Sequence, residues 1–158
     1  MTSYTIRKFN PETDIEAVQK INRNCLPENY PRFFFLDIYN KFPEGFNVAE
    51  MENGEIVGYE MTRIERGLSN YGFGIDKKGH IISIAVLDEY RRLGIAKNLM
   101  ISAANALRLR EVKEVFLEVR ESNHAAINLY QRLGYQSFKI SKQYYTDGES
   151  AIIMISKI

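Results

Sequence analysis

The run His80-Ile81-Ile82-Ser83-Ile84-Ala85-Val86 constrains the fold more than any other segment. It has strand length and no alternating polar face. Such a strand belongs inside a sheet that is covered on both sides. Shortly after it, Arg91-Arg92-Leu93-Gly94-Ile95-Ala96 opens an amphipathic stretch. A helix is expected from about Arg92 to Arg108, with Ala96, Leu99, Met100, Ala103 and Leu107 on one face. Val115 to Val119 then reads as a second buried strand. Strand, helix and strand in that order make a parallel crossover unit.

The rest of the chain adds antiparallel pieces around this unit. Tyr4 to Phe9 reads as an opening strand, and Thr13-Asp14-Ile15-Glu16 has the spacing of a capping box with Thr13 as cap. Ile15, Val18, Ile21 and Cys25 follow at helical spacing until Pro27. An aromatic helix is expected at Arg32 to Asn40, with Phe33, Phe34 and Phe35 in the core. Asn47 to Met51 and Glu55 to Thr62 read as a hairpin turned by Asn53-Gly54. Ile64 to Gly79, rich in glycine, reads as a long loop. Ala125 to Leu133 is a helix stopped by Gly134, and Tyr135 to Ser141 and Ala151 to Ser156 are closing strands. The expectation is one α/β (α+β) domain over residues 1–158, a mixed sheet of about seven strands with helices on both faces.

Composition narrows the function. The 158 residues carry a net charge of +1, which argues against the broad basic face of a nucleic-acid binder. No window approaches the roughly 18 apolar residues of a membrane span, and Met1 to Arg7 lacks the apolar core of a secretory signal. Cys25 is the single cysteine, so no internal disulfide forms, and two histidines with one cysteine make a structural metal site an unexpected use of this chain. A cytoplasmic protein without membrane or direct nucleic-acid contact is expected.

The junction between Val86 and the following helix carries the first chemical signal. The opening turn of a helix leaves N–H groups unpaired, and the helix dipole favours an anion there. Gly94 and Ala96 are small enough to let a phosphate approach the backbone, and Arg91 and Arg92 add charge. Taken alone, Arg-x-x-Gly-x-Ala equally fits a plain amphipathic helix.

The wider pattern is more specific. Arg91-x-x-Gly94-x-Ala96 resembles the Arg/Gln-x-x-Gly-x-Gly/Ala signature of the GNAT acetyltransferases. Leu26-Pro27-Glu28-Asn29-Tyr30, His80 to Val86, Val119-Arg120-Glu121-Ser122-Asn123 and Tyr144-Tyr145-Thr146-Asp147-Gly148-Glu149 resemble the catalytic subunits of protein N-terminal acetyltransferases, NatA-type and ribosomal-protein alanine enzymes among them. The resemblance runs from about Ile6 to Met154. Relatives often follow Asp-Gly-Glu with Asp, where this chain has Ser150.

That resemblance implies a GNAT fold in which two parallel strands splay to hold acetyl-coenzyme A as co-substrate. The pantetheine arm would pair with the backbone of Ile84, Ala85 and Val86. Arg91 and the segment Arg92, Leu93, Gly94, Ile95, Ala96 and Lys97 would hold the pyrophosphate. Asn123 would bond the arm, and Tyr130 would point its hydroxyl at the thioester sulfur. Leu26, Glu28, Tyr30, Tyr144 and Tyr145 would contact the acceptor peptide. Protein N-termini would be the substrates, and a ribosome or an auxiliary subunit would be a possible partner.

The chemistry explains why few groups suffice. A peptide α-amine, with a reference pKa of about 7.7–8.0, must shed a proton before it attacks a thioester. His80 and Glu28 are the candidate bases, directly or through one water. Backbone N–H groups near Val86 suit an oxyanion, and Tyr130 can protonate the leaving thiolate. Two other readings stay open from the residues alone. One is a GNAT enzyme acting on a small amine or a protein lysine. The other is an acyl-coenzyme A-binding module without catalysis.

Overall fold

The computed structural model describes residues 3–158. Met1 and Thr2, the start of the segment read above as lacking a secretory signal, lie outside the described residues. The elements are β1 (Tyr4–Lys8), α1 (Ile15–Cys25), α2 (Arg32–Lys41), β2 (Phe46–Met51), β3 (Ile56–Leu68), β4 (Ile75–Val86), α3 (Ile95–Leu109), β5 (Glu114–Arg120), α4 (His124–Arg132), β6 (Gln136–Ser141) and β7 (Ala151–Lys157). One seven-stranded sheet runs in the order β1-β2-β3-β4-β5-β7-β6. Only β4 and β5 are parallel neighbours; every other pair is antiparallel.

Both faces of the sheet are covered, as the apolar strand at its centre requires. Helices α1 and α2 lay Val18, Ile21, Phe35 and Ile38 against Phe46, Val48, Tyr59 and Met61. On the opposite face, Met100, Ala103 and Leu107 of α3 pack with Ile81, Val115, Leu117 and Tyr130. Leu99 and Leu107 are wholly buried, and each such side chain contributes roughly 1.5–3 kcal/mol of transfer free energy.

Four expectations need correction. Thr13 does not cap α1; the cap position is Asp14, whose side chain makes no capping bond. Its carboxylate is instead held by Arg7 at 2.7 and 3.0 Å and by the Asn10 N–H at 2.8 Å. Ile64 to Gly79 is not a long loop. β3 and β4 continue in register from Arg63↔His80 to Leu68↔Ile75, leaving only a turn between them. Long-range contacts stabilise this ribbon, among them Lys77 Nζ to the Arg110 carbonyl and Ser69 Oγ to Glu114. Helix α3 starts at Ile95 and not at Arg92, because Arg92 and Gly94 take left-handed φ values of 66° and 82°. Finally, of the three consecutive phenylalanines only Phe35 is fully buried, whereas Phe33 is 72% exposed.

Candidate active site

The site begins where the sheet comes apart. β4 and β5 pair at only two positions, Gly79↔Val115 and His80↔Phe116. Beyond them β5 is paired only with β7, and β4 remains bonded to β3 up to Gly58↔Val86. The β5-facing edge of β4 from Ile81 to Val86 is therefore unpaired in the middle of a sheet. An unpaired edge of this kind is a ready template for an extended ligand. Gly58 lets β3 and β4 lie close beneath it, since a Cβ there would come within 3.1 Å of the Ala85 carbonyl oxygen.

At the C-terminal end of β4 lies the turn that carries Arg91 to Lys97. Two left-handed residues fold it into a loop, and Gly94 becomes the cap of α3. The two arginines take different parts. Arg91 donates from Nε to the Val86 carbonyl at 3.1 Å and pairs with Asp88 at 2.8 Å, so it ties the loop to the end of the strand. Arg92 makes no hydrogen bond or ion pair among the described residues and is exposed, as are Leu93, Gly94 and Lys97. Ile95 is buried in the core. Free N–H groups at the start of a fifteen-residue helix, an exposed Arg92 and an exposed glycine fit a pyrophosphate.

Next to the notch, α4 presents Asn123 and Tyr130. Asn123 caps α4 by accepting the Ala126 N–H at 3.2 Å through its side-chain oxygen, which leaves its amide N–H₂ for another partner. The hydroxyl of Tyr130 makes no hydrogen bond among the described residues. Burial pushes its pKa up to about 12, so it keeps its proton as a donor near neutrality.

At the other end of the unpaired stretch of β4, where its pairing with β5 stops, a network of charged side chains is assembled from four separate segments, β3, β4, β5 and the β6–β7 turn. His80 stacks on Phe116, with ring centroids 4.1 Å apart. Its Nδ1 lies 2.5 Å from Glu65, and its Nε2 lies 2.8 Å from both oxygens of Glu118. Burial disfavours the Glu65 anion, but hydrogen bonds from Arg63 and His80 outweigh it and hold the carboxyl below its usual range. Tyr144 donates to Glu118 at 3.0 Å. Burial, reinforced by the Glu118 charge, pushes the Tyr144 hydroxyl far above its ordinary value.

Glu28 lies in a second network centred on Arg120. The guanidinium reaches Glu28 at 2.5 Å and Asp147 and Glu149 at 2.8 Å, and it lies over the ring of Tyr145 at 4.1 Å. The Leu26-to-Tyr30 loop is thereby joined to the Tyr144-to-Glu149 turn across the notch. Hydrogen bonding to the Ser122 side chain, to Arg120 and to the Ser122 N–H lowers the Glu149 carboxyl to about 2. The loop is also tied from below. Asn22, buried, donates to the Glu28 carbonyl and to the Tyr59 hydroxyl and accepts the Tyr30 N–H. Tyr30 stacks on Phe34 at 4.7 Å, and Leu26 packs into the same cluster.

The structure thus brings Glu28, Tyr30, Tyr144 and Tyr145 near Glu118, a partner of His80, and the space between the Leu26-to-Tyr30 loop and the Tyr144-to-Glu149 turn is the candidate acceptor cleft. It also adds Glu118, Arg120, Glu65 and Asn22, to which the sequence alone assigns no role. Glu118 and Arg120 left a signal: both are charged residues at alternate positions of the strand Glu114–Arg120, opposite the apolar Val115, Leu117 and Val119. Glu65 left none, because its segment read as loop.

Residues 15–135 match the model of the acetyltransferase (GNAT) family. The chain belongs to the GNAT acetyltransferase family. An N-alpha-acetyltransferase of Sulfurisphaera tokodaii is 47% identical over 149 residues, 92% of this chain and 89% of that protein. The catalytic subunit NAA10 of the N-terminal acetyltransferase A complex of Arabidopsis thaliana is 43% identical, covering 89% of this chain and 71% of that protein. Among solved structures, Chaetomium thermophilum Naa20 in complex with a bisubstrate analogue superposes with a TM-score of 0.86 at 33% identity, over 98% of this chain and 86% of that one. The GNAT fold with seven strands stands as the sequence implied, and no helix of the described residues is long and apolar enough to cross a membrane.

Proposed function

We propose that this chain is an N-alpha-acetyltransferase that moves the acetyl group of acetyl-coenzyme A to the free α-amine of a protein N-terminus. One observation carries the reading. The unpaired edge of β4 lies between a phosphate-type turn at Arg91–Lys97 and an acid–base network at His80, Glu118 and Glu28. The likeness to N-alpha-acetyltransferases over nearly the whole chain supports it.

Acetyl-coenzyme A supplies an activated acyl group on a good leaving thiolate. The residues here have separate tasks. The backbone of Ile84, Ala85 and Val86 aligns the pantetheine arm, with the Asn123 amide as a further contact. Arg92 and the N–H groups of Gly94 to Lys97 hold the pyrophosphate. Leu26, Tyr30, Tyr144 and Tyr145 hold the first residues of the acceptor, and Arg120 keeps the two lips of the cleft together. The amine nitrogen attacks the thioester carbonyl carbon, the carbon–sulfur bond breaks, and the acetyl group passes directly to nitrogen. Glu118 takes the amine proton, directly or through a water, with His80 and Glu65 as its relay; Glu28 serves the same amine from the opposite lip. Tyr130 donates toward the departing sulfur.

Peptides with free or blocked N-termini test the reading. Acetylation of the free peptides alone is the expected result. Equal transfer to blocked peptides that contain lysine would favour a side-chain acetyltransferase, and coenzyme A binding without turnover would favour a binding module. Replacing His80, Glu28 and Glu118 by alanine, singly and together, tests the base assignment; wild-type turnover at saturating peptide would sink it. We further propose a cytoplasmic location and docking to an auxiliary subunit or ribosome, as relatives described as subunits of acetyltransferase complexes suggest.

A further inference from the structure

Tyr4, on the edge strand β1, reaches the phosphate-type turn from the far side of the chain. Its hydroxyl donates to the Leu93 carbonyl at 3.2 Å and accepts from the Asn98 side-chain amide at 2.7 Å. An amide N–H₂ can only donate, so the hydroxyl proton of Tyr4 is committed to Leu93. Asn98 is itself set in the first turn of α3, its N–H bonded to the Gly94 carbonyl at 3.0 Å. One hydroxyl therefore clamps both ends of the segment Leu93–Asn98.

The clamp has a consequence one bond further along. Within a trans peptide the C=O of one residue and the N–H of the next point in opposite directions. Holding the Leu93 carbonyl toward Tyr4 holds the Gly94 N–H away from it. Gly94 lacks a Cβ and sits at φ 82°, where a glycine can move to either sign of φ at small cost. The Leu93–Gly94 peptide plane could otherwise turn over and withdraw that N–H. A Cβ on Gly94 would meet only the Tyr4 hydroxyl, at 3.6 Å, so no other group from outside the turn stands on that side of the glycine.

We infer that Tyr4 is a positioning residue for the co-substrate: it orients the Gly94 N–H toward the pyrophosphate of coenzyme A, with Asn98 orienting Tyr4. The inference rests on the acetyl-coenzyme A reading above. Tyr4 touches neither the reacting atoms nor the acceptor cleft.

The test compares Tyr4→Phe and Asn98→Ala with the wild-type chain. Calorimetric titration with coenzyme A should give a dissociation constant about tenfold higher for Tyr4→Phe, the scale of one hydrogen bond to a charged group. KM for acetyl-coenzyme A should rise likewise, with kcat at saturation and KM for peptide unchanged. S-acetylpantetheine lacks the pyrophosphate, so kcat/KM with that donor should be the same for the variant and the wild type. General loosening of the fold would lower activity with both donors. Asn98→Ala should weaken coenzyme A binding in the same direction, and the double variant should be no worse than Tyr4→Phe, because the two act as one unit. Wild-type affinity for coenzyme A in Tyr4→Phe, or an equal loss with S-acetylpantetheine, overturns the inference. If the wild-type chain bound no coenzyme A, the co-substrate reading would fall first and this inference with it.

Discussion

The two ends of the unpaired edge of β4 are built on opposite principles. The C-terminal end, Val86 to Lys97, is a contiguous stretch whose chemistry resides in backbone N–H groups and two left-handed residues. The end at His80 is built from side chains brought in by the α1–α2 loop, β3, β4, β5 and the β6–β7 turn. A backbone cradle tolerates many side chains provided φ is allowed. A side-chain network fails when one member is lost, because its buried charges are then left without partners. The co-substrate end should therefore respond to changes in backbone freedom, and the acceptor end to removal of single functional groups.

The largest expected effect is at the acceptor end. Glu118→Gln keeps the shape but removes the carboxylate that faces both His80 and Tyr144, and kcat should fall by about 10²–10⁴-fold, the usual contribution of a positioned base. KM for acetyl-coenzyme A should stay where it was. Steady-state kinetics with each substrate varied separately would show this; a loss divided equally between the two substrates would break the contrast between the ends.

Next comes Gly94→Val at the other end. A β-branched residue at φ 82° costs about 1–2 kcal/mol of backbone strain, which the loop relieves by moving. About a tenfold increase in KM for acetyl-coenzyme A is expected, with KM for peptide unchanged. Arg120→Met should do the reverse. It releases Glu28 from Asp147 and Glu149 and should raise KM for peptide several-fold while leaving coenzyme A binding intact.

The smallest effect concerns a carboxylate outside both ends. Glu60 is wholly buried and has only the neutral donors Asn47 and Thr62, at 2.6 and 2.7 Å. Burial pushes its pKa from 4.5 up to about 8. The folded state then binds a proton that the unfolded state has released, so Glu60 costs stability as pH rises from about 4.5 to about 8 and no more above that. Glu60→Gln can accept from Asn47 and donate to Thr62, and its stability relative to wild type should increase between pH 5 and pH 8. Urea unfolding at the two values measures the difference; a constant difference would mean that Glu60 stays ionised in the fold.

The contrast between the two ends also explains what could be read in advance. The central strand, the parallel crossover, the seven strands and the phosphate-type turn all depend on near neighbours in sequence, where periodicity, glycine and capping signals act. Helix α3 starts three residues later than helix propensity predicts because Arg92, an ordinary helix former, is held at φ 66° by the turn it sits in. Thr13 and Glu16 have the spacing of a capping box, yet Arg7 drew Asp14 into an ion pair with no trace in the local pattern. The β3–β4 ribbon was hidden by charged and glycine residues, whose strand state is enforced by cross-strand and long-range bonds.

The site divides the same way. Near-neighbour order alone determined that a buried strand leads into a small-residue turn at a helix start, because those preferences are local. Which charged groups meet was decided only when the sheet closed. Glu28 and Arg120 are 92 positions apart, and His80 and Glu118 are 38 apart. Tyr4 reaches Leu93 across 89 positions. Side chains this far apart come into hydrogen-bonding range only through strand order and register, which are set by the burial of the whole core.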